Sequence, residues 1–320
     1  MTTSDTDYAF LFPGQGSQQI GMGKELCDRY PTAREVFAEA DDALRFGLSS
    51  LCFGGDERER AVAANPQPAI LTCSIAAPAA ARAELGDDFV DRPRYCLGHS
   101  LGEFSALVAA GALRFADAVR LVRLRGEAMQ DAVPTGVGAM AAVLGIASAE
   151  LDSLCAAVEA DGLGVVSPAN ENGGGQVVVA GQSAAVAALG DRARAAGGKV
   201  IPLNVSAPFH CALMAPAAER LADALAAIEV SPLRVPVITN VEAEPNDDAA
   251  RVKDLLIRQV THRVRWEASV RRAVHGGVQR AYEIGHGRVL AGLVRRIARE
   301  LAVRPLGSPA DLDVLKTGAP

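Results

Sequence analysis

The chain has 320 residues, enough for one large domain or two modest ones around a substantial core. Hydrophobic residues make up 49% but aromatics only 4%, so the core has to be built mainly from Ala, Val and Leu. A net charge of -6 excludes general binding to nucleic acid or to a membrane surface, though it leaves room for a local basic patch.

The start, Met1-Thr-Thr-Ser-Asp-Thr-Asp7, is polar and acidic and lacks the basic and apolar regions of a signal peptide. No apolar run is long enough to span a bilayer; the Ala-rich stretch 75–83 is interrupted by Pro78 and Arg82. Six scattered cysteines show no C-x-x-C pair and no zinc-ligand spacing. They read as reduced thiols, so the expectation is a cytoplasmic protein without a metal site.

Taken in chain order, the first strand is Tyr8–Phe12, closed by Pro13-Gly14 and followed by helix-like sequence, the rhythm of an α/β protein. A second strand, 95–97, runs into a Gly-rich turn, with helices expected at 103–110 and 115–130. Residues 138–203 have their own order: strand 139–144, helix 148–160, strands 164–167 and 176–180, helix 183–196, strand 199–203. That β-α-β-β-α-β series is ferredoxin-like. Ser148 and Ser183 are the expected helix N-caps, and Gly197-Gly198 the expected stop of the second helix. The expected fold is thus α/β, with a ferredoxin-like small domain at 134–205 inserted into a large domain formed by 1–133 and 206–320. Strands at 235–239 and 280–284, a last helix at 287–301 and a loosely held tail after Pro305 complete the chain.

Gly98-His-Ser100-Leu-Gly102 fits a nucleophile elbow, in which a serine on a sharp strand-to-helix turn needs glycine on both sides. Its hydroxyl then lies at a helix N-terminus, where the dipole favours developing negative charge. The same pattern also suits a plain Gly-rich turn. A serine needs a base, and the histidines are His99, His210, His262, His275 and His286. His99 adjoins the serine, and His275 sits in a polar stretch that reads as surface. His210 lies on a loop leading into a helix, a good place for a base.

These segments together resemble the malonyl-CoA:acyl carrier protein transacylases of fatty acid and polyketide synthesis. The similarity covers about residues 8–305. It rests on Phe12-Pro-Gly-Gln15-Gly-Ser-Gln18, Gly98-His-Ser-Leu-Gly-Glu103, Arg123-Leu-Arg125-Gly126-Glu-Ala-Met129-Gln130, Val205-Ser-Ala-Pro-Phe-His210 and Arg258-Gln259-Val260. The resemblance implies an α/β-hydrolase-like large domain with the ferredoxin-like insertion. It implies Ser100 as the acylated nucleophile, His210 as its base, the Gln259 backbone carbonyl as the group orienting that histidine, and the Gln15 and Leu101 N–H groups as the oxyanion hole. Arg125 would hold the malonyl carboxylate through two parallel hydrogen bonds. Met129, His99 and Phe209 would line the acyl pocket, and Asn170 the substrate cleft. The implied partners are malonyl-CoA and an acyl carrier protein, with no cofactor; a monomer is expected.

Two positions depart from the pattern. Phe209 stands where housekeeping bacterial members commonly have a smaller residue, which should favour malonyl over branched units. His286 in Gly285-His286-Gly287 stands where the family often has Pro. The rival readings are an acyl-thioester hydrolase on the same Ser100 and His210, and a docking module on the same fold. An esterase would place an Asp or Glu before a late His, and family hydrolases generally lack the arginine at position 125. Finally, residues 258–304 carry eleven arginines and three acids, a local charge of +8, and are the expected docking face for an acidic carrier protein.

Overall fold

All five residues of Tyr8–Phe12 (β1) are apolar and buried, the pattern of a strand covered on both faces. The computed structural model describes residues 6–54, 66–205 and 207–317. Its remaining strands are Tyr95–Gly98 (β2), Gly138–Leu144 (β3), Val166–Gly173 (β4), Gln176–Gln182 (β5), Lys199–Pro202 (β6), Val237–Ile238 (β7), Pro245–Asn246 (β8), Arg280–Ile284 (β9) and Ala302–Leu306 (β10). They form two sheets. The larger runs β10-β9-β1-β2-β7-β8 and is parallel except for its last pair. Along β1, Tyr8, Phe10 and Phe12 enter one core while Ala9 and Leu11 enter another that holds Trp266, Val270 and Val294.

With few aromatics available, the first core depends on close helix packing. The helix Pro66–Leu85 buries Ala69, Ala76, Ala77, Ala80 and Ala81, and it contains the Pro78 that interrupts the Ala-rich stretch. Four rings gather at one end of the sheet: Tyr8, Phe10, Phe89 and Tyr282 have centroids 5.2–6.2 Å apart. Among the described residues, no helix is long and apolar enough to cross a membrane.

The smaller sheet is antiparallel, ordered β4-β5-β3-β6, and carries the helices Ser148–Ala160 and Ser183–Ala195. Chain order and strand order are both ferredoxin-like, as expected. Two details differ. The serines do not cap their helices: Ala147 and Gln182 occupy the N-cap positions in extended conformation, and Ser183 Oγ donates instead to the Gly136 carbonyl at 2.9 Å. The strand expected at 164–167 runs instead over Val166–Gly173, and its register against β5 shifts twice. Those shifts let β4 meet the larger body, where Asn170 bridges Val264 and the Arg263 guanidinium lies 2.8 Å from Glu171.

The C-terminal segment also corrects the sequence reading. The helix Val289–Ile297 stops early because Ala298 turns extended, and the chain continues as β10 against β9 and as a further helix, Pro309–Thr317. This tail is held: Leu306 and Leu312 are buried, and Asp313 pairs with Arg29 at 2.6 Å. Leu312→Ala should therefore lower the unfolding free energy by about 2–5 kcal/mol, the usual range for a truncated core leucine. Denaturant unfolding measures this, and a change below about 0.5 kcal/mol would mean that the tail is loose after all.

Candidate active site

The turn after β2 can be made only with glycine at two places. A Cβ on Gly98 would lie 2.0 Å from the Gly102 carbonyl oxygen, and one on Gly102 would lie 2.0 Å from that of Phe12. Between them Ser100 sits at φ 51, in the left-handed region that a serine rarely adopts. Asn240, just after β7, pins the strained turn from both sides. Its Oδ1 accepts from the Ser100 N–H at 2.7 Å, and its Nδ2 donates to the Gly98 carbonyl at 2.6 Å. Ser100 is thus presented immediately before the helix Gly102–Ala109.

His210 also has a left-handed backbone, φ 60. Its Nε2 lies 2.7 Å from Ser100 Oγ, and its Nδ1 lies 2.8 Å from the Gln259 carbonyl oxygen. The carbonyl can only accept, so the proton belongs on Nδ1 and Nε2 is left free to take the serine proton. Burial, reinforced by the nearby Arg125 charge, pushes the imidazole down to about 3. The base is therefore neutral at any ordinary pH. Ser206, in the loop leading to it, lies outside the described residues.

Arg125 projects from the helix Phe115–Asp131 into the same space and is 1% exposed. Its Nη1 donates to Gln67 Oε1 at 2.8 Å; its Nη2 donates to Gln259 Oε1 at 2.9 Å and to Ser100 Oγ at 3.0 Å. All three acceptors are uncharged, and the buried Nε has no partner. Burial draws the guanidinium down to about 10. A buried cation surrounded by neutral oxygens strongly favours an anion beside it. Among the described residues, the N–H groups of Gln15 and Leu101 take no part in any intramolecular hydrogen bond, whereas the Ser100 N–H is engaged by Asn240.

A serine, a histidine and a buried arginine in one cleft suit transfer of an acyl group that itself bears an acid, and comparison with known proteins agrees. Residues 9–303 match the acyl transferase domain family. The chain belongs to that family. The malonyl CoA-acyl carrier protein transacylase of Salmonella typhimurium is 46% identical over 313 residues, covering 98% of this chain and 99% of the relative. The acyl carrier protein S-malonyltransferase of Vibrio cholerae superposes with a TM-score of 0.92 at 42% identity, covering 97% of this chain and all of that one. A malonyl-transacylase solved in complex with a type II polyketide synthase acyl-carrier protein also gives 0.92 at 42% identity, covering 98% of this chain and 100% of that one. A hydrolase reading finds no support among these relatives.

For this acyl transferase, the sequence-derived residues divide into two groups. Ser100, His210, Arg125 and Gln259 converge within hydrogen-bonding distance of one another. Met129 is buried one turn beyond Arg125, and Phe209 packs between the larger core and the face of the small sheet. His99 turns toward the small sheet: its Nε2 lies 2.9 Å from Asn172 Oδ1, and its ring centroid lies 5.6 Å from that of Trp266, the two planes tilted by 57°. The side chain that meets His99 thus belongs to Asn172, and Asn170 contributes the strand bridge to Val264. Sequence reasoning missed Gln67, Asn172 and Asn240, and gave Glu103 no role. Only Glu103 carried a signal, as the last residue of the elbow motif.

The depressed His210 fixes a pH profile. An ordinary histidine with a pKa near 6.5 would lose about 30-fold in its neutral form at pH 5. Labelling of Ser100 by a fluorophosphonate probe should instead change by less than about threefold between pH 7 and pH 5, with no adduct on Ser100→Ala. An inflection near pH 6.5 would show the imidazole to be solvated.

Proposed function

We propose that the chain transfers the malonyl group of malonyl-CoA to the phosphopantetheine thiol of an acyl carrier protein, through a malonyl ester on Ser100. The observation that carries this reading is Arg125 Nη2 at 3.0 Å from Ser100 Oγ. A buried guanidinium beside the nucleophile selects an acyl group with a terminal carboxylate, which malonyl has and acetyl lacks. The carboxylate would take the two Nη groups in place of their neutral partners.

In the first half-reaction Ser100 Oγ attacks the thioester carbonyl while His210 Nε2 takes its proton. The Gln15 and Leu101 N–H groups receive the oxyanion, and such a donor is typically worth about 3 kcal/mol in the transition state. Collapse expels the CoA thiolate, to which His210 can return the proton. In the second half-reaction the carrier thiol gives its proton to His210 and attacks the ester, and Ser100 leaves with that proton. The Gln259 carbonyl holds the imidazole in register throughout, in the place of an acidic third member. The reaction is substitution at a carbonyl, and these groups supply its acid-base chemistry without a cofactor. We assign 134–205 to the small domain and 1–133 with 206–320 to the large one, and we place the enzyme in the cytoplasm, where both substrates occur in fatty acid and polyketide synthesis.

Arg125→Ala should lower kcat/KM for malonyl-CoA by about 10²–10⁴-fold, reflecting about 3–5 kcal/mol for a buried carboxylate that loses its partner. Acetyl-CoA kinetics should change far less. Malonyl-CoA kinetics within about twofold of wild type would remove Arg125 from the substrate site.

The basic segment supports a docking face smaller than its composition implies. Arg258, Arg263, Arg271, Arg272 and Arg280 are paired with acids. Arg295, Arg296 and Arg299 are exposed and, among the described residues, pair with none. Arg296 reaches Gln176 of β5 at 3.0 Å, so this cluster flanks the seam between the two sheets. Arg295→Glu combined with Arg296→Glu should raise the carrier-protein KM, while self-malonylation from malonyl-CoA changes less. Added salt should weaken transfer by wild type more than by the double variant. Equal salt sensitivity would move the docking face elsewhere.

A further inference from the structure

Among the described residues Arg125 makes no ion pair, yet a buried cation needs an anion in its field. The acid that supplies it is Glu103, 1% exposed and one amide away. Arg125 Nη2 donates to Gln259 Oε1 at 2.9 Å, and Gln259 Nε2 donates to Glu103 Oε2 at 2.7 Å. The amide is thereby oriented with its oxygen toward the cation and its nitrogen toward the anion; Nε2 also donates to the Ser100 carbonyl at 2.9 Å. Glu103 Oε2 accepts in addition from the Asn240 N–H at 3.2 Å, so the same carboxylate braces the residue that pins the elbow. No step described above uses it.

We propose that Glu103 is a positioning residue that balances the charge of Arg125 while the acyl pocket is empty and takes up a proton when the malonyl carboxylate binds. The inference rests on the reading that Arg125 receives that carboxylate. Once it does, Arg125 has a direct ionic partner, and two anions share one cation inside the protein. The more deeply enclosed of the two, Glu103, then relieves the imbalance by accepting a proton from solvent. The proton returns to solvent when the malonyl group leaves on the carrier thiol, so the full cycle is proton-neutral at this residue. Protonated Glu103 still offers a carbonyl oxygen to Gln259 and Asn240, so the amide keeps its orientation.

The charges around Glu103 are few. Arg125 faces it from the helix Phe115–Asp131, and Glu242, after β7, opposes its ionisation. Glu242 is itself held ionised by Arg251 and Arg258. His210 sits on the same Gln259 and is neutral. Burial above all pushes the Glu103 carboxyl up to about 7, within reach of a modest further change in field.

Ser100→Ala protein, which binds acyl-CoA without turnover, provides the test. Calorimetric titration at pH 8 in two buffers of different ionisation enthalpy counts the protons exchanged on binding. Malonyl-CoA should take up more than about half a proton per molecule bound and acetyl-CoA essentially none. Adding Glu103→Gln should abolish the uptake while retaining binding. Tighter binding of malonyl-CoA without uptake, or uptake unchanged in the Glu103→Gln background, would overturn the proposal and leave the Arg125 reading standing. Equal affinity for the two acyl-CoAs would instead overturn the Arg125 reading. Should the double variant fail to fold, the Ser100→Ala protein alone decides. Its malonyl-CoA Kd should weaken progressively from pH 7 to pH 9 relative to that of acetyl-CoA, by up to about tenfold per pH unit, and parallel profiles would refute the idea.

Discussion

Burying the Arg125 guanidinium without an ion pair is the constraint around which the cleft is arranged. Such a group is costly unless every donor is used and some anion lies in its field. Gln67 and Gln259 face it with their amide oxygens, each carried on a buried helical segment. Glu103 answers the charge at one remove. The same demand explains why the nucleophile is close: Ser100 Oγ is the remaining acceptor for Nη2, so the requirement that satisfies the arginine also aims the serine.

Gln259 joins these requirements to the chemistry. Its side chain mediates between Arg125 and Glu103, and its main-chain carbonyl fixes the His210 tautomer. In the proposed reaction, one residue on the helix Val252–Thr261 therefore positions both the selectivity group and the base. A neutral carbonyl in the orienting position adds no negative charge to a pocket built for an anion. An aspartate there would compete with a substrate carboxylate for the field of Arg125.

The legibility of the site in the sequence followed from locality. The elbow could be read directly because its serine and both glycines fall within five consecutive residues, even though the clash that demands Gly102 comes from Phe12. Arg125, Gln259 and Asn240 have no such signature. Each acts through contacts 25 or more residues away, so the first two were accessible only by resemblance and the third not at all. The ferredoxin-like insertion was legible because strand and helix periods alternate cleanly. The capping serines were misread because strand β5 runs directly into the helix Ser183–Ala195, which leaves Gln182 in the cap position. The tail was misread because its strand is an edge strand whose burial depends on β9, not on its own composition.

Strain at the two residues proposed to react gives the architecture its final logic. Ser100 and His210 both hold left-handed backbones, a cost of about 1–3 kcal/mol each that persists only where surrounding contacts over-determine it. For Ser100 those contacts come from across the insertion, and for His210 from its own side of it. Asn240, 140 residues from Ser100, secures the serine; Gln259, 49 residues beyond His210, secures the histidine. Ser100 and His210 are themselves 110 residues apart, with the whole small sheet between them in sequence. Neither half of the larger body can hold the reactive geometry alone. The serine acquires its base and its pinned turn together, and Arg125 its Gln259 partner, when the segment carrying β7 and the helix Val252–Thr261 docks beside β2. A chain in which that segment has not docked thus lacks the base and the pinned turn at once, so formation of a reactive serine is coupled to completion of the larger body.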